Sequence, residues 1–335
     1  MKKLQNCLYI NKQETYVHKE RETLVIKQGG DKLMQLPIHS LQHIFCFGNV
    51  LVSPFVLGFC GENNVGLSFF SVYGKFLGRL QGQQNGNILL RKAQYKQTET
   101  PHFLAQTFVA AKVANSRAVL QRHNRNHGVD ENVTRAVKVL GQSLESIRFQ
   151  QDVNVIRGLE GNAAASYFSV IQTLITNKDK AFRFSGRNRR PPRDAVNAMM
   201  SFAYSLISSE ISSALQGVGL DPQAGFLHTD RPGRDSLSQD VLEEFRAYWA
   251  DRFVLSLVNR KQINSKGFDV QAGGAVIMKE QTRKDFLTAW QDKKQEEITH
   301  PYLDEKIPIG LLPHVQSLLL ARYLRGDIER YPPFL

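Results

Sequence analysis

The sequence predicts an α+β protein: a small β-rich, sandwich-like N-terminal domain over 1–95, then a mainly α-helical domain over 96–335. Three observations predict it. Short runs of β-branched and aromatic residues, separated by turn signals, fill the first part of the chain. Near residue 100 the apolar spacing changes to that of helices. The chain has 335 residues, and single cores rarely grow far beyond ~250–300 residues.

The strand candidates run in order as "LYI", "TYVH", "TLVIK", "LMQLP", "HIFCF" and "VGLSFFS", with "NKQE", "QGGD" and "ENNVG" as turns. One short helix, "SPFVLGFC", interrupts them; Ser53 before Pro54 suits a capped first turn. The segment "GQQNGNILLRKAQYKQTET" reads as the boundary. Pro101 then opens a helix in "PHFLAQTFVAAKVANSRAVLQRH". Further helical runs follow at 131–149, 158–175, 194–216, 237–257, 279–297 and 309–325, punctuated by Gly, Asn and Pro. No internal repeat is present.

Lys and Arg number 43 against 31 acids, a net charge of +12. Such an excess points to a polyanionic partner, nucleic acid first and an anionic membrane surface second. The N-terminus lacks the apolar core of a signal peptide, and no run approaches the ~20 apolar residues of a spanning helix. Cys7, Cys46 and Cys60 are few, odd in number and without CxxC spacing. They predict free thiols in a reducing cytoplasm rather than disulfides or a zinc ribbon.

Three stretches carry chemistry. In "GFLHTDRPGRDSLSQDVLEEFR", Ser236 and Gln239 match a capping box, so a helix is expected near Leu237. Val241, Leu242, Phe245 and Trp249 would form its apolar face, with Asp240, Glu243 and Glu244 opposite. Acids so placed usually meet water. Here, however, the turn "TDRPGR" can fold His228 back onto the helix start, and carboxylates with an imidazole can hold a divalent cation with positions left for water and phosphate. In "RGLEGNAAASYFSVI", Glu160 stands among small residues, which predicts a crowded helix contact where its charge needs a cation or an Arg such as Arg157 or Arg187.

The third stretch is "KDKAFRFSGRNRRPPRDAVNAMM". It carries Arg183, Arg187, Arg189, Arg190 and Arg193 with no acid among them, so local pairing is excluded and phosphate contact is expected. Phe182 and Phe184 could stack on bases or anchor the loop. Lys112, Arg117, Arg122 and Arg125 on the first long helix extend the basic track; His123 and His127, without acids nearby, do not specify zinc. Two other classes fit parts of this pattern. A hydrolase of small phosphoesters would not need the charge, and a non-enzymatic nucleic-acid scaffold would not need the acids.

Taken together, "GLEGNAAASYF", "NRRPPRDAVNAMMSFAYSLI" and "GLDPQAGFLHTDRPGRDSLSQDVLEEFR" resemble, in order and spacing, the first CRISPR-associated protein family, the spacer-acquisition integrases. "LPIHSLQHIFCFG", "GGAVIM" and "YLRGDIERYPPFL" agree, so the likeness spans nearly the whole chain, with the C subtype of type I systems as the nearest flavour. The resemblance implies a β-rich N-terminal domain, a helical catalytic domain and a homodimer. It implies metal-dependent cutting and joining of double-stranded DNA with single-stranded 3′ ends, by 3′-hydroxyl attack on a phosphodiester, with Mg2+ or Mn2+. As partners it implies the small second CRISPR-associated protein and, in several subtypes, a RecB-like Cas nuclease. Onto this chain it places the metal ligands at Glu160, His228 and Glu243, with Asp240 in support. Asn197 matches an Asn beside the active centre and joins the nucleic-acid-binding set with the five arginines.

Overall fold

The computed structural model describes residues 6–63, 65–72, 76–80 and 88–335. Its elements run β1 (Asn6–Ile10), β2 (Thr15–Glu20), β3 (Thr23–Gln28), β4 (Asp31–Pro37), β5 (Leu41–Phe47), β6 (Val50–Val52), α1 (Pro54–Glu62), β7 (Gly66–Phe70) and β8 (Phe76–Arg79). The helical part follows with α2 (Ile88–Gln97), α3 (His102–His127), α4 (Glu131–Arg148), α5 (Val153–Ser169), α6 (Ile171–Leu174), α7 (Ala195–Gly217), α8 (Ser236–Leu242) and α9 (Arg252–Asn259). It closes with β9 (Phe268–Val270), β10 (Val276–Met278), α10 (Glu280–Gln295), β11 (Glu297–Thr299), β12 (Lys306–Pro308) and α11 (Leu312–Arg325). The predicted α+β class is borne out.

Two four-stranded sheets, ordered β1-β5-β7-β8 and β4-β3-β2-β6, share a core that includes Val17, Leu24, Ile26, Ile44, Cys46 and Leu67. Helix α1 adds Val56, Phe59 and Cys60 to it, and begins as expected, with Ser53 Oγ accepting from Val56 N at 3.4 Å. Strand β5 explains why "HIFCF" is continuously apolar. Successive side chains alternate between faces. Ile44 and Cys46 enter the inter-sheet core, while Phe45 and Phe47 enter the larger core of the helical part. A strand covered on both faces has no polar side to display. On the same face as Phe45, buried His43 contacts Ser68 Oγ at 2.9 Å, and Ser68 contacts Ser209 on α7 at 2.7 Å. Burial drives the His43 imidazole down to about 3, so it is neutral there. Gly66 makes the room, because a Cβ there would lie 2.2 Å from His43 Nδ1.

Of the segment read as a boundary, residues 82–87 lie outside the described residues, and the rest opens as helix α2. Gln94 on α2 clamps the loop ahead of His228: it donates to the carbonyls of Asp221 and Ala224 at 2.8 and 2.9 Å and accepts from Asp221 N at 2.9 Å. Helices α3, α4 and α5 pack on one another, and α7 runs through the centre, apolar nearly all round. The remaining helices fall close to their expected spans, with two exceptions. The run expected over 158–175 begins at Val153 and is split at Val170 into α5 and α6. The continuous helix expected over 237–257 is broken: α8 ends at Leu242, the backbone tightens through Phe245, and a π-turn over Arg246–Asp251 precedes α9. Among the described residues, the cysteines are free and no helix is long and apolar enough to cross a membrane.

Candidate catalytic cleft

Asp240 organises the site. It is fully buried on α8, and its Oδ2 accepts from the backbone N–H of Phe226 and Leu227 at 2.6 and 3.0 Å. Its Oδ1 accepts from His228 N at 3.0 Å and meets His228 Nδ1 at 2.6 Å. The carboxylate therefore folds 226–228 around itself and makes Nδ1 the protonated ring nitrogen, leaving the Nε2 lone pair free. That Nε2 lies 3.8 Å from Glu243 Oε1. Gly225 permits the wrap, since a Cβ there would sit 2.9 Å from Asp240 Oδ2 and 2.8 Å from Ser236 Cβ. Arg157 on α5 holds the same loop by donating to Leu227 O at 2.6 Å. The predicted capping box is not formed. The helix starts at Ser236, one residue early, and the Ser236 hydroxyl donates to Thr229 O, because the incoming loop lies where a cap would point.

Glu160 on α5 and Glu243 converge on Lys112 of α3, whose ammonium contacts the first and stands 2.7 Å from Oε2 of the second. Arg246 Nε donates to the same Glu243 oxygen at 3.0 Å. Burial by itself would raise the Glu243 carboxyl. Arg246 and Lys112 outweigh it and hold the group below the ordinary carboxylate range. Asp240, Glu243 and Glu244 do not share one solvated face: all three are buried, and Glu244 turns away to Tyr331 and Gln316. The small residues around Glu160 divide, and only Ala163 is buried in the core of the helical part. Gly158 and Gly161 are exposed with open space where a Cβ would stand, and Gly161, Ala164 and Ala165 line the cleft wall. Glu160 takes its cation from Lys112, not from Arg157 or Arg187.

The cleft has a volume of about 1240 Å³, and Arg189, Arg190, Arg231 and Arg234 stand along it. Burial, then the neighbouring Arg231, lower the Arg234 guanidinium from its ordinary value, with Arg189 and Arg190 adding to the effect. So many unbalanced cations on one wall suit a polyphosphate. The five arginines of the loop divide. Arg183 and Arg193 are exposed and outside the cleft lining. Arg187 turns inward, donates to Asn197 Oδ1 at 2.6 Å and Ser201 Oγ at 3.1 Å, and lies 5.2 Å over the Tyr204 ring. The expectation that none could pair locally fails for Arg187, because Asn, Ser and an aromatic face replace the missing acid. Phe182 and Phe184 are buried, so they anchor the loop and do not stack on bases. Asn197 is also fully buried, which removes it from direct nucleic-acid contact; its amide donates to Gly186 O at 2.9 Å and shapes the loop.

Among the described residues no three His, Cys, Asp or Glu side chains are grouped closely enough to close around a metal ion as they stand. Lys112 fills the space between the two glutamates. The donor chemistry nonetheless fits a divalent cation: the two glutamates already share one positive charge, and His228 offers a free Nε2 backed by a carboxylate. Lys112 and Arg246 were not singled out by sequence as site cations. Arg246 is legible as the i+3 neighbour of Glu243, whereas Lys112 reaches partners 48 and 131 positions away and leaves no local signal.

Phosphate-seeking guanidiniums around a cation-seeking centre are what an enzyme of the nucleic-acid backbone requires, and this fold carries both. Within that class the chain belongs to the family described as CRISPR associated protein Cas1, whose family model matches residues 8–292. It is 49% identical over 344 aligned residues to CRISPR-associated endonuclease Cas1 1 of Chlorobaculum tepidum, covering 100% of this chain and 99% of that protein. A casposase bound to integration product has the same fold, with a TM-score of 0.84 and 23% identity over 97% of this chain and 92% of that one. So does a chain of a Cas6-RT-Cas1–Cas2 complex, at 0.82 and 17% identity, over 99% of this chain and 36% of that one.

Proposed function

We propose that this chain is the metal-dependent DNA endonuclease and integrase of CRISPR adaptation, inserting spacer DNA into the repeat array. The observation that carries the reading is that Glu160 and Glu243 share Lys112, and His228 Nε2 lies 3.8 Å from Glu243, in the lining of an arginine-rich cleft. Glu160, Glu243 and the Nε2 of His228 would hold the ion. Magnesium or manganese, when bound, supplies neutralisation of charge building on the phosphodiester oxygens. Asp240 keeps His228 in one tautomer and orientation. Arg189, Arg190, Arg231 and Arg234 take backbone phosphates and set the strands in line, where a misplacement near 1 Å costs ~100-fold. The 3′-hydroxyl of incoming DNA forms the new bond to phosphorus as the bond to a 3′-oxygen at the repeat boundary breaks. One phosphodiester replaces another; with water as attacker the result is cleavage.

The family likeness supports a working assembly of a homodimer with the small second CRISPR-associated protein on double-stranded DNA with single-stranded 3′ ends. A RecB-like Cas nuclease would trim that DNA, and the cytoplasm would be the setting. The test is strand joining with magnesium by Glu160→Ala, His228→Ala and Glu243→Ala. Each is expected to lose ~100-fold or more while still binding DNA. Activity kept by all three would overturn the site, and cleavage of small phosphoesters without DNA affinity would favour a different hydrolase.

A further inference from the structure

Lys112 has no part in the chemistry above, yet it stands at its centre. Its side chain is 13% exposed, and its ammonium contacts Glu160 Oε1 and Glu243 Oε2 together. Two carboxylates this close repel each other, and the nearly buried Glu243 is costly to leave short of a counter-charge. The ammonium relieves both problems. It also stands between the two glutamates, on Oε1 of Glu160 and Oε2 of Glu243, while His228 faces the other oxygen of Glu243. Lysine suits a temporary occupant: it is a compact charge on a flexible stem, whereas an Arg fork is rigid and makes directional paired bonds.

We propose that Lys112 is the resident counter-cation of the ion-free centre. It holds Glu160 and Glu243 together until a divalent ion takes its place. This rests on Glu160 and Glu243 being the ion's ligands. Its consequence has an unusual sign. A residue that merely builds the site weakens ion binding when removed, whereas a competitor strengthens it.

The experiment is a manganese titration of the full chain, following the paramagnetic resonance of the free ion. It compares wild type, Lys112→Met, Lys112→Gln, Lys112→Arg and Glu160→Gln, with melting curves to show that each is folded. Lys112→Met keeps the stem and Lys112→Gln keeps a polar head, so a folding defect in one leaves the other. Both are expected to bind manganese ~10-fold or more tightly, because a unit charge a few ångströms away is removed. Lys112→Arg should bind no more tightly than wild type, and Glu160→Gln should bind weakly. Unchanged or weaker binding in both neutral variants, with Glu160→Gln still deficient, overturns the role of Lys112 and leaves the ion site standing. Wild-type affinity in Glu160→Gln overturns the ion site, and the proposal with it.

Discussion

Glu244 follows Glu243 in the chain but faces the opposite way, into a pocket where Tyr331 Oη donates at 2.6 Å, Gln316 Nε2 at 2.7 Å and Phe334 N at 2.8 Å. Residues of the C-terminal part thus grip the carboxylate next in sequence to the candidate ion ligand. Burial pushes the Glu244 carboxyl from 4.5 to about 7, even against these donors. A raised folded-state value means that between pH 4.5 and 7 the folded chain keeps a proton the unfolded chain has released. This group's stabilisation is therefore full below about pH 4.5 and is lost as pH rises through 7. The lost amount is at most about 3 kcal/mol. Urea melts at pH 5 and pH 8 should show a larger fall for wild type than for Glu244→Gln. Equal falls would mean that Glu244 is ionised throughout.

Between α8 and α9 the hydrogen bonds first tighten and then widen. Glu243 N and Phe245 N reach back three residues, to Asp240 O and Leu242 O, and then Ala250 N reaches back five, to Phe245 O. Across this irregular stretch Glu243 meets Lys112, Glu244 meets the C-terminal tail, and Trp249 stacks on Trp290 with ring centroids 4.9 Å apart. The π-turn over Arg246–Asp251, a device often found at functional sites, follows Glu243 and Glu244 and includes Trp249. The arginine loop is the other element with a separable duty. Replacing Arg189 and Arg190 by Ala should weaken DNA binding and lower the slope of log affinity against log salt by ~1.5–2. Replacing Arg183 and Arg193, outside the cleft lining, should change the slope less. Fluorescence anisotropy between 50 and 200 mM salt reads both, and identical slopes would detach the loop from the phosphates.

The whole molecule is tied together by a buried ion pair. Lys294 on α10 lies 2.9 Å from Glu210 on α7 and 3.0 Å from the Cys7 sulfur on β1, so one ammonium joins the sheet to both helices. Lys294→Met would strand the Glu210 charge in the core and should cost about 3–5 kcal/mol in urea unfolding. Lys294→Met with Glu210→Leu should recover most of that loss, because an apolar pair needs no counter-charge. A double variant as unstable as the single one would show that the pair is needed for packing and not for charge balance.

The amino-acid order alone determined the α+β class, most helix positions and the basic loop, because local spacing encodes which face is buried. It also made Glu160, His228, Asp240, Glu243 and Glu244 conspicuous as acids and an imidazole beside apolar runs, and the family resemblance then singled out Glu160, His228 and Glu243, with Asp240 in support. Tertiary structure decided what each of them does. Asp240 wraps the His228 loop, Glu244 serves the C-terminal tail, Asn197 and Arg187 turn inward, and Lys112 joins acids from distant segments. Those outcomes depend on how an ionised group is paired once water is removed. Pairing between separate segments, 12 positions apart for His228 and Asp240 and 90 for Glu244 and Phe334, has no period to read in a one-dimensional sequence.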